Sequence, residues 1–160
     1  MLCPAREEPR VNAAPVRVVF ACVHNAGRSQ MAAALFNAFA DPGRVVAVSA
    51  GTAPGPRVHP VVVDAMREIG IDVSAARPTR LTDDLASDAA LLVTMGCGDA
   101  CPHLPGLARD DWPLADPKER PLEEVRGIRD DIAGRVRALI EARGWARERR
   151  DQGTGTSATG

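Results

Sequence analysis

The sequence predicts a single α/β domain: a parallel sheet with helices on both faces. Three observations lead there. Short apolar, β-branched runs recur at 16–20, 44–49 and 89–94, and segments of helical periodicity separate them. The last of these runs is almost unbroken by polar residues, the pattern of a strand covered on both faces. The chain has 160 residues, 45% of them hydrophobic, and a net charge of −1, which fits one sizeable core and gives no sign of a second domain.

Residues 1–15 carry Pro4, Pro9 and Pro15 among charges and have no apolar h-region, so they read as a disordered arm and not as a signal peptide. The domain proper is expected over 16–145. Its first strand is the run from Val16 to Phe20. The Ala-rich segment with Met31, Leu35, Phe36 and Phe39 at helical spacing is the first helix. Asp41-Pro42-Gly43 is a turn, Arg44 to Ser49 is the second strand, and Gly51 ends it. Residues 52–60 are rich in Pro and Gly, after which Val61, Val62, Ala65, Met66 and Ile69 form a helical face that stops at Gly70. Thr79 to Leu85 reads as a short helix, and Ala89 to Thr94 as the third strand. From Pro121 to about Arg143 the pattern is an amphipathic helix, with Glu123 and Glu124 in the first turn and Leu122, Val125, Ile128, Ile132, Val136, Leu139 and Ile140 on one face. Its arginines read as solvated charges, since a slightly acidic chain argues against a nucleic-acid surface. Residues 146–160 read as a disordered tail. No stretch approaches the roughly 18 consecutive apolar residues of a membrane helix.

The chemistry concentrates where the first strand meets the first helix, in Cys22-Val-His-Asn-Ala-Gly-Arg28-Ser29. A loop at a helix N-terminus offers unpaired N–H groups and the positive end of the helix dipole, a ready oxyanion site to which Arg28 adds a planar bidentate donor. Val23, His24, Asn25, Ala26, Gly27 and Arg28 are therefore the candidate oxyanion-binding residues. The same field favours a thiolate, which makes Cys22 the candidate nucleophile. Ser29 sits at a helix-capping position and can also donate its hydroxyl to the thiolate. Asn25 either serves plain turn chemistry or bridges the loop and holds it open. In a parallel sheet the loops after Phe20 and after Thr94 share the carboxyl edge, where ligands bind.

The loop after Thr94 holds Cys97 and Cys101, with Gly96 and Gly98 about the first. Four Cys in a chain that reads as cytosolic argue for redox or metal chemistry over a disulfide scaffold. Zinc would need a second ligand pair; only His103 follows, and His24 is better read as shaping the anion loop, so no metal is assigned. His59, before Pro60, reads as surface. Asp116-Pro117 is by itself an ordinary turn signal.

Cys22-Val-His-Asn-Ala-Gly-Arg-Ser-Gln-Met-Ala resembles the nucleophile loop of thioredoxin-coupled arsenate reductases, which share the low-molecular-weight phosphotyrosine phosphatase fold. Ser49-Ala-Gly-Thr, Gly70-Ile-Asp-Val-Ser, Val93-Thr-Met-Gly-Cys97-Gly-Asp-Ala-Cys101-Pro and Trp112-Pro-Leu-Ala-Asp116-Pro117 resemble further blocks of that family in the same order. The resemblance implies a four-stranded parallel sheet and a monomeric, cytoplasmic enzyme. It also implies arsenate as substrate, Cys22 as nucleophile, Arg28 and Ser29 beside it, Asp116 as the acid, and thioredoxin as electron donor to a Cys22, Cys97, Cys101 relay. It implies no cofactor. Some relatives bind potassium with the loop Asn and a Glu on the following helix; here Asn25 matches but Ala33 stands at the helix position. Relatives that act on phosphotyrosine carry aromatic residues after the Asp-Pro pair, where this chain has Lys118-Glu-Arg and, overall, no Tyr. Hydrolysis of phosphomonoesters, reduction by a low-molecular-weight thiol and a non-catalytic arsenical sensor are the rival readings.

Overall fold

The computed structural model describes residues 15–96 and 106–147. Cys3, Cys97, Cys101 and His103 lie outside the described residues, as do all but the innermost few positions of the two arms expected at 1–15 and 146–160. The elements run β1 (Val16–Cys22), α1 (Arg28–Phe39), β2 (Val45–Gly51), α2 (Pro60–Arg67), α3 (Asp83–Ser87), β3 (Leu91–Thr94), β4 (Ala108–Asp111) and α4 (Leu122–Arg143). The four strands form one all-parallel sheet in the order β2-β1-β3-β4, as the α/β reading requires.

Period-two geometry splits each central strand between two cores. Val18 and Phe20 of β1 face the larger one with Val45, Ala47, Leu91 and Val93, under Met31, Leu35 and Phe36 of α1 and Val125, Ile132 and Val136 of α4. Val19, Ala21 and Leu92 face the smaller one, beneath Leu81 and Leu85. Each fully buried Phe, Leu or Met here stabilises the fold by roughly 1.5–3 kcal/mol relative to exposure. Phe20 lies between the rings of Phe36 and Trp112, with centroids 5.8 Å and 5.5 Å away. Trp112, 5% exposed, thereby pins the chain leaving β4 against the strand that carries Cys22.

The sheet's β2 edge is not left open. The Asn37 side chain donates to Ala47 O and accepts from Ala47 N–H, while Gly51 N–H donates to Thr79 O and Leu81 N–H to Gly51 O. Those last bonds explain two departures from expectation. Thr79 to Leu81 is extended along β2, with Arg80 bridged to Gly51, so the short helix begins only at Asp83, where Thr82 Oγ1 accepts from Leu85 N–H and caps it. The second strand accordingly runs two residues past Ser49. α4 starts and stops as its pattern implies, but one of its arginines is no solvated charge. Arg129 is 8% exposed and donates from Nη1 to Ala65 O at 2.8 Å and to Glu68 Oε1 at 3.0 Å, tying the end of α2 to α4. No helix among the described residues is long and apolar enough to cross a membrane.

Candidate active site

Every strand ends its carboxyl side at one edge of the sheet, and the chemically equipped side chains gather there. Cys22 is the last residue of β1 and is 2% exposed. The loop after it turns because each of its carbonyls is engaged. Cys22 O, Val23 O, His24 O and Ala26 O accept from the N–H groups of Thr52, Ala53, Gly55 and His59. Asn25 O accepts from Gln30 Nε2, and Gly27 O accepts from Met31 N–H. Among the described residues the N–H groups of His24, Ala26, Gly27, Arg28 and Ser29 find no acceptor, so they remain for an anion over Cys22. Asn25 differs: it takes φ +52°, is fully buried, and donates its N–H to Cys22 Sγ at 3.3 Å.

The side chain of Asn25 organises the rest. Its Oδ1 accepts from Thr79 N–H at 2.8 Å and from Gln30 Nε2 at 3.2 Å. Because a backbone N–H can only donate, the oxygen must face Thr79 and the NH2 must face Ser29, where Nδ2 donates to Oγ at 2.7 Å. The Ser29 hydroxyl proton is then free for Cys22 Sγ, 2.9 Å away. Two donors thus converge on the sulfur. The Asn25 side chain thus ties the loop to Thr79 and Gln30 and reaches Ser29. Ser29, in turn, is not a cap: α1 begins at Arg28 with Gly27 as N-cap and no side-chain cap bond, since the hydroxyl is committed to sulfur and Asn25.

Arg28, 8% exposed, donates from Nη1 to Leu114 O at 3.1 Å, and its Nη2 lies 3.7 Å from Asp116 Oδ2. Its Nε is buried with no hydrogen-bond partner among the described residues, one fixed donor remaining for an oxyanion. Gly96, at φ +98°, packs flat on the guanidinium; a Cβ there would stand 2.5 Å from Nη1. Asp116 is held by a tight turn in which Lys118 N–H donates to Oδ1 and Arg120 Nε to the backbone O. Pro117 closes on Gly27, where a Cβ would meet Pro117 Cγ at 2.5 Å. The Asp116-Pro117 turn therefore lies directly against the Cys22 loop.

His59 is not a surface residue. It is half-buried beside Gly27 and lines a groove with His24 and Lys118. Burial lowers its pKa below the ordinary imidazole value, against the opposing pull of Asp116. No group of three His, Cys, Asp or Glu side chains placed to hold a metal occurs among the described residues. The edge thus brings together Cys22, Arg28, Ser29, Asp116 and the 23–28 loop. The positions of Cys97 and Cys101 fall outside the described residues, immediately after Gly96. Sequence reasoning missed Thr79, Gln30 and Leu114: two act through backbone groups common to every residue, and Gln30 reads as one more polar position on a helix.

The arrangement can hold a tetrahedral oxyanion over a sulfur nucleophile with an acid alongside. The low molecular weight phosphotyrosine protein phosphatase family matches residues 17–148. A thioredoxin-dependent arsenate reductase of Corynebacterium glutamicum is 40% identical, with a TM-score of 0.71, over 84% of this chain and 65% of that one. This chain thus spans about two thirds of the length of that relative. A Halobacterium salinarum protein assigned as an arsenate reductase is 38% identical over 130 residues, 76% of this chain and 89% of its own. A glutaredoxin arsenate reductase of Synechocystis is 33% identical over 127 residues, 78% of this chain and 95% of its own.

Proposed function

Because the chain belongs to the low molecular weight phosphotyrosine protein phosphatase family, and its relatives include arsenate reductases, we propose that it is itself an arsenate reductase. The observation that carries the reading is the pair of donors, Ser29 O–H and Asn25 N–H, converging on Cys22 Sγ inside a loop whose carbonyls are all engaged elsewhere.

Arsenate sits in the loop from Val23 to Arg28, with Arg28 Nε and the free N–H groups on its oxygens. Cys22 thiolate attacks arsenic; an S–As bond forms and an oxygen leaves as water, taking a proton from Asp116. Cys97 thiolate then attacks Cys22 Sγ. The S–S bond forms, the S–As electron pair stays on arsenic, and As(V) departs as As(III). Cys101 displaces Cys22 from Cys97, and the resulting Cys97–Cys101 disulfide is reduced by the dithiol of thioredoxin. The enzyme needs no cofactor of its own and works in the cytoplasm, where thiols are kept reduced.

The test is arsenate-dependent NADPH consumption with thioredoxin and thioredoxin reductase, for wild type and for Cys22→Ser, Cys97→Ser and Cys101→Ser. Turnover by wild type alone is expected. Repeated turnover by Cys101→Ser would sink the relay. Failure of the wild type on arsenate, with para-nitrophenyl phosphate hydrolysed, would make the site a phosphatase. The Synechocystis relative's name supports one further arm: turnover with glutathione and glutaredoxin in place of thioredoxin would reassign the electron donor.

A further inference from the structure

The Asn25 N–H and the Ser29 hydroxyl both reach Cys22 Sγ, and both depend on how Asn25 is held. The polar atoms of Asn25 divide cleanly. Its two donors serve the nucleophile, the N–H directly and Nδ2 through Ser29 Oγ. Its two acceptors are both taken by one side chain, since Gln30 Nε2 lies 3.0 Å from Asn25 O and 3.2 Å from Asn25 Oδ1. Arg77 O stands farther from the same nitrogen, at 3.4 Å.

The sense of these bonds is fixed. Thr79 N–H requires an oxygen at Asn25 Oδ1, so the Gln30 group that meets it must be the NH2. Turned over, Gln30 would set its own oxygen against those of Asn25 and Arg77. Gln30 stands in the first turn of α1 and is 6% exposed, which leaves little room for water to replace it. Thr79 already anchors Oδ1, and Asn enters the left-handed region at φ +52° more readily than most residues. What Gln30 adds is a joint restraint on the backbone carbonyl and the side-chain oxygen of a single residue. Pinned at both, Asn25 is one rigid unit whose donors have one direction each.

We propose that Gln30 is a positioning residue for the attack on arsenate: acting through Asn25, it aims the two donors that hold the Cys22 thiolate. The inference rests on the reading of Cys22 as the nucleophile of an arsenate reductase given above.

The experiment is single-turnover arsenite formation by the pre-reduced full-length protein without thioredoxin, over a range of excess arsenate. Gln30→Met keeps the side-chain length and removes the donors, and Gln30→Asn keeps an amide that is one methylene short of Asn25. In both, the limiting rate constant should fall about fivefold or more. The arsenate concentration giving half that rate, and competitive inhibition by phosphate, should move by less than about twofold, because Arg28 Nε and the loop N–H groups are untouched. The amplitude of a single turnover reports how much protein is folded while the rate constant does not, so a loss of folded protein cannot imitate the effect. Glycine accepts the backbone of residue 25 but lacks its amide; in an Asn25→Gly background, Gln30→Met should therefore slow the reaction by less than about twofold. Unchanged rate constants in both single variants, a loss confined to arsenate affinity, or an equal loss with and without the Asn25 side chain would overturn the assignment while leaving the reductase standing. No arsenite from the wild type would overturn both readings.

Discussion

Replacing Ser29 by alanine removes the hydroxyl that lies 2.9 Å from Cys22 Sγ and 2.7 Å from Asn25 Nδ2. A hydrogen bond to a charged partner contributes about 1.5–3 kcal/mol, and each 1.36 kcal/mol is tenfold in rate. The loss of attack on arsenic is therefore roughly 10- to 150-fold in kcat/KM. The lower half of that range is the better expectation, because Asn25 N–H still reaches the sulfur at 3.3 Å. The effect should appear in kcat. Arg28 Nε and the loop N–H groups are untouched, so competitive inhibition by inorganic phosphate should move by less than about threefold. Asn25 Nδ2 loses its acceptor, which costs stability on the order of 1–3 kcal/mol and lowers Tm accordingly. Steady-state arsenate reduction, phosphate inhibition and a thermal melt on one preparation separate these effects. A folded Ser29→Ala protein with kcat/KM within about twofold of wild type would refute the argument that Ser29 donates to the nucleophile.

Asn25→Ala should be worse, since it leaves the Thr79 N–H and the buried Ser29 hydroxyl without Asn25 as partner and puts alanine at φ +52°; a stability loss of about 3 kcal/mol or more is expected in denaturant unfolding. Gly96→Ala brings a Cβ within 2.5 Å of Arg28 Nη1 at φ +98°, and the guanidinium is what must yield, so KM for arsenate should rise about tenfold or more in steady-state assays. The Glu68 carboxyl is pushed down to about 2 by its hydrogen bond to Arg126, with Arg129 adding to it. A carboxyl depressed on folding contributes stability that is complete above its unfolded value near 4.5 and is lost as pH falls toward 2. Glu68→Gln should accordingly flatten the fall of Tm between pH 4.5 and 2, and an unchanged slope would count against the Arg126 and Arg129 contacts.

What could be read in the one-dimensional sequence was whatever is local in the chain. β1, the Cys22 to Arg28 loop and α1 are consecutive, so their strand, turn and helix patterns identify the anion cradle without any knowledge of the rest. β4 was invisible for the opposite reason. Ala108 to Asp111 is the exposed edge of the sheet, pairs among the described residues only with β3, and carries charges where an inner strand carries valines. The start of α3 was misplaced because Thr79 to Leu81 is recruited by Gly51 of β2, a partner about 30 residues back, and the groove histidine was dismissed because proximity to Gly27 and Asp116 is not a property of His59 or its neighbours.

The same division runs through the site. The nucleophile and its donors come from one segment of eight residues, Cys22 to Ser29, and their grouping follows from that segment's own sequence, although Thr79 N–H and Gln30 orient the Asn25 amide. The aim of Arg28 does not. It depends on the carbonyl of Leu114, 86 positions away, on Asp116, and on a glycine after β3 whose missing Cβ makes room for the guanidinium. A carbonyl and an absent side chain leave no residue-type signature. The fold is what supplies them, by ending β1, β3 and β4 at one edge of the sheet. The two halves should therefore fail differently. Changes at Cys22, Asn25 and Ser29 act on the rate of attack, whereas changes at Arg28 and at residues 96 and 114–117 act on how tightly the oxyanion is held and on how its leaving oxygen is protonated.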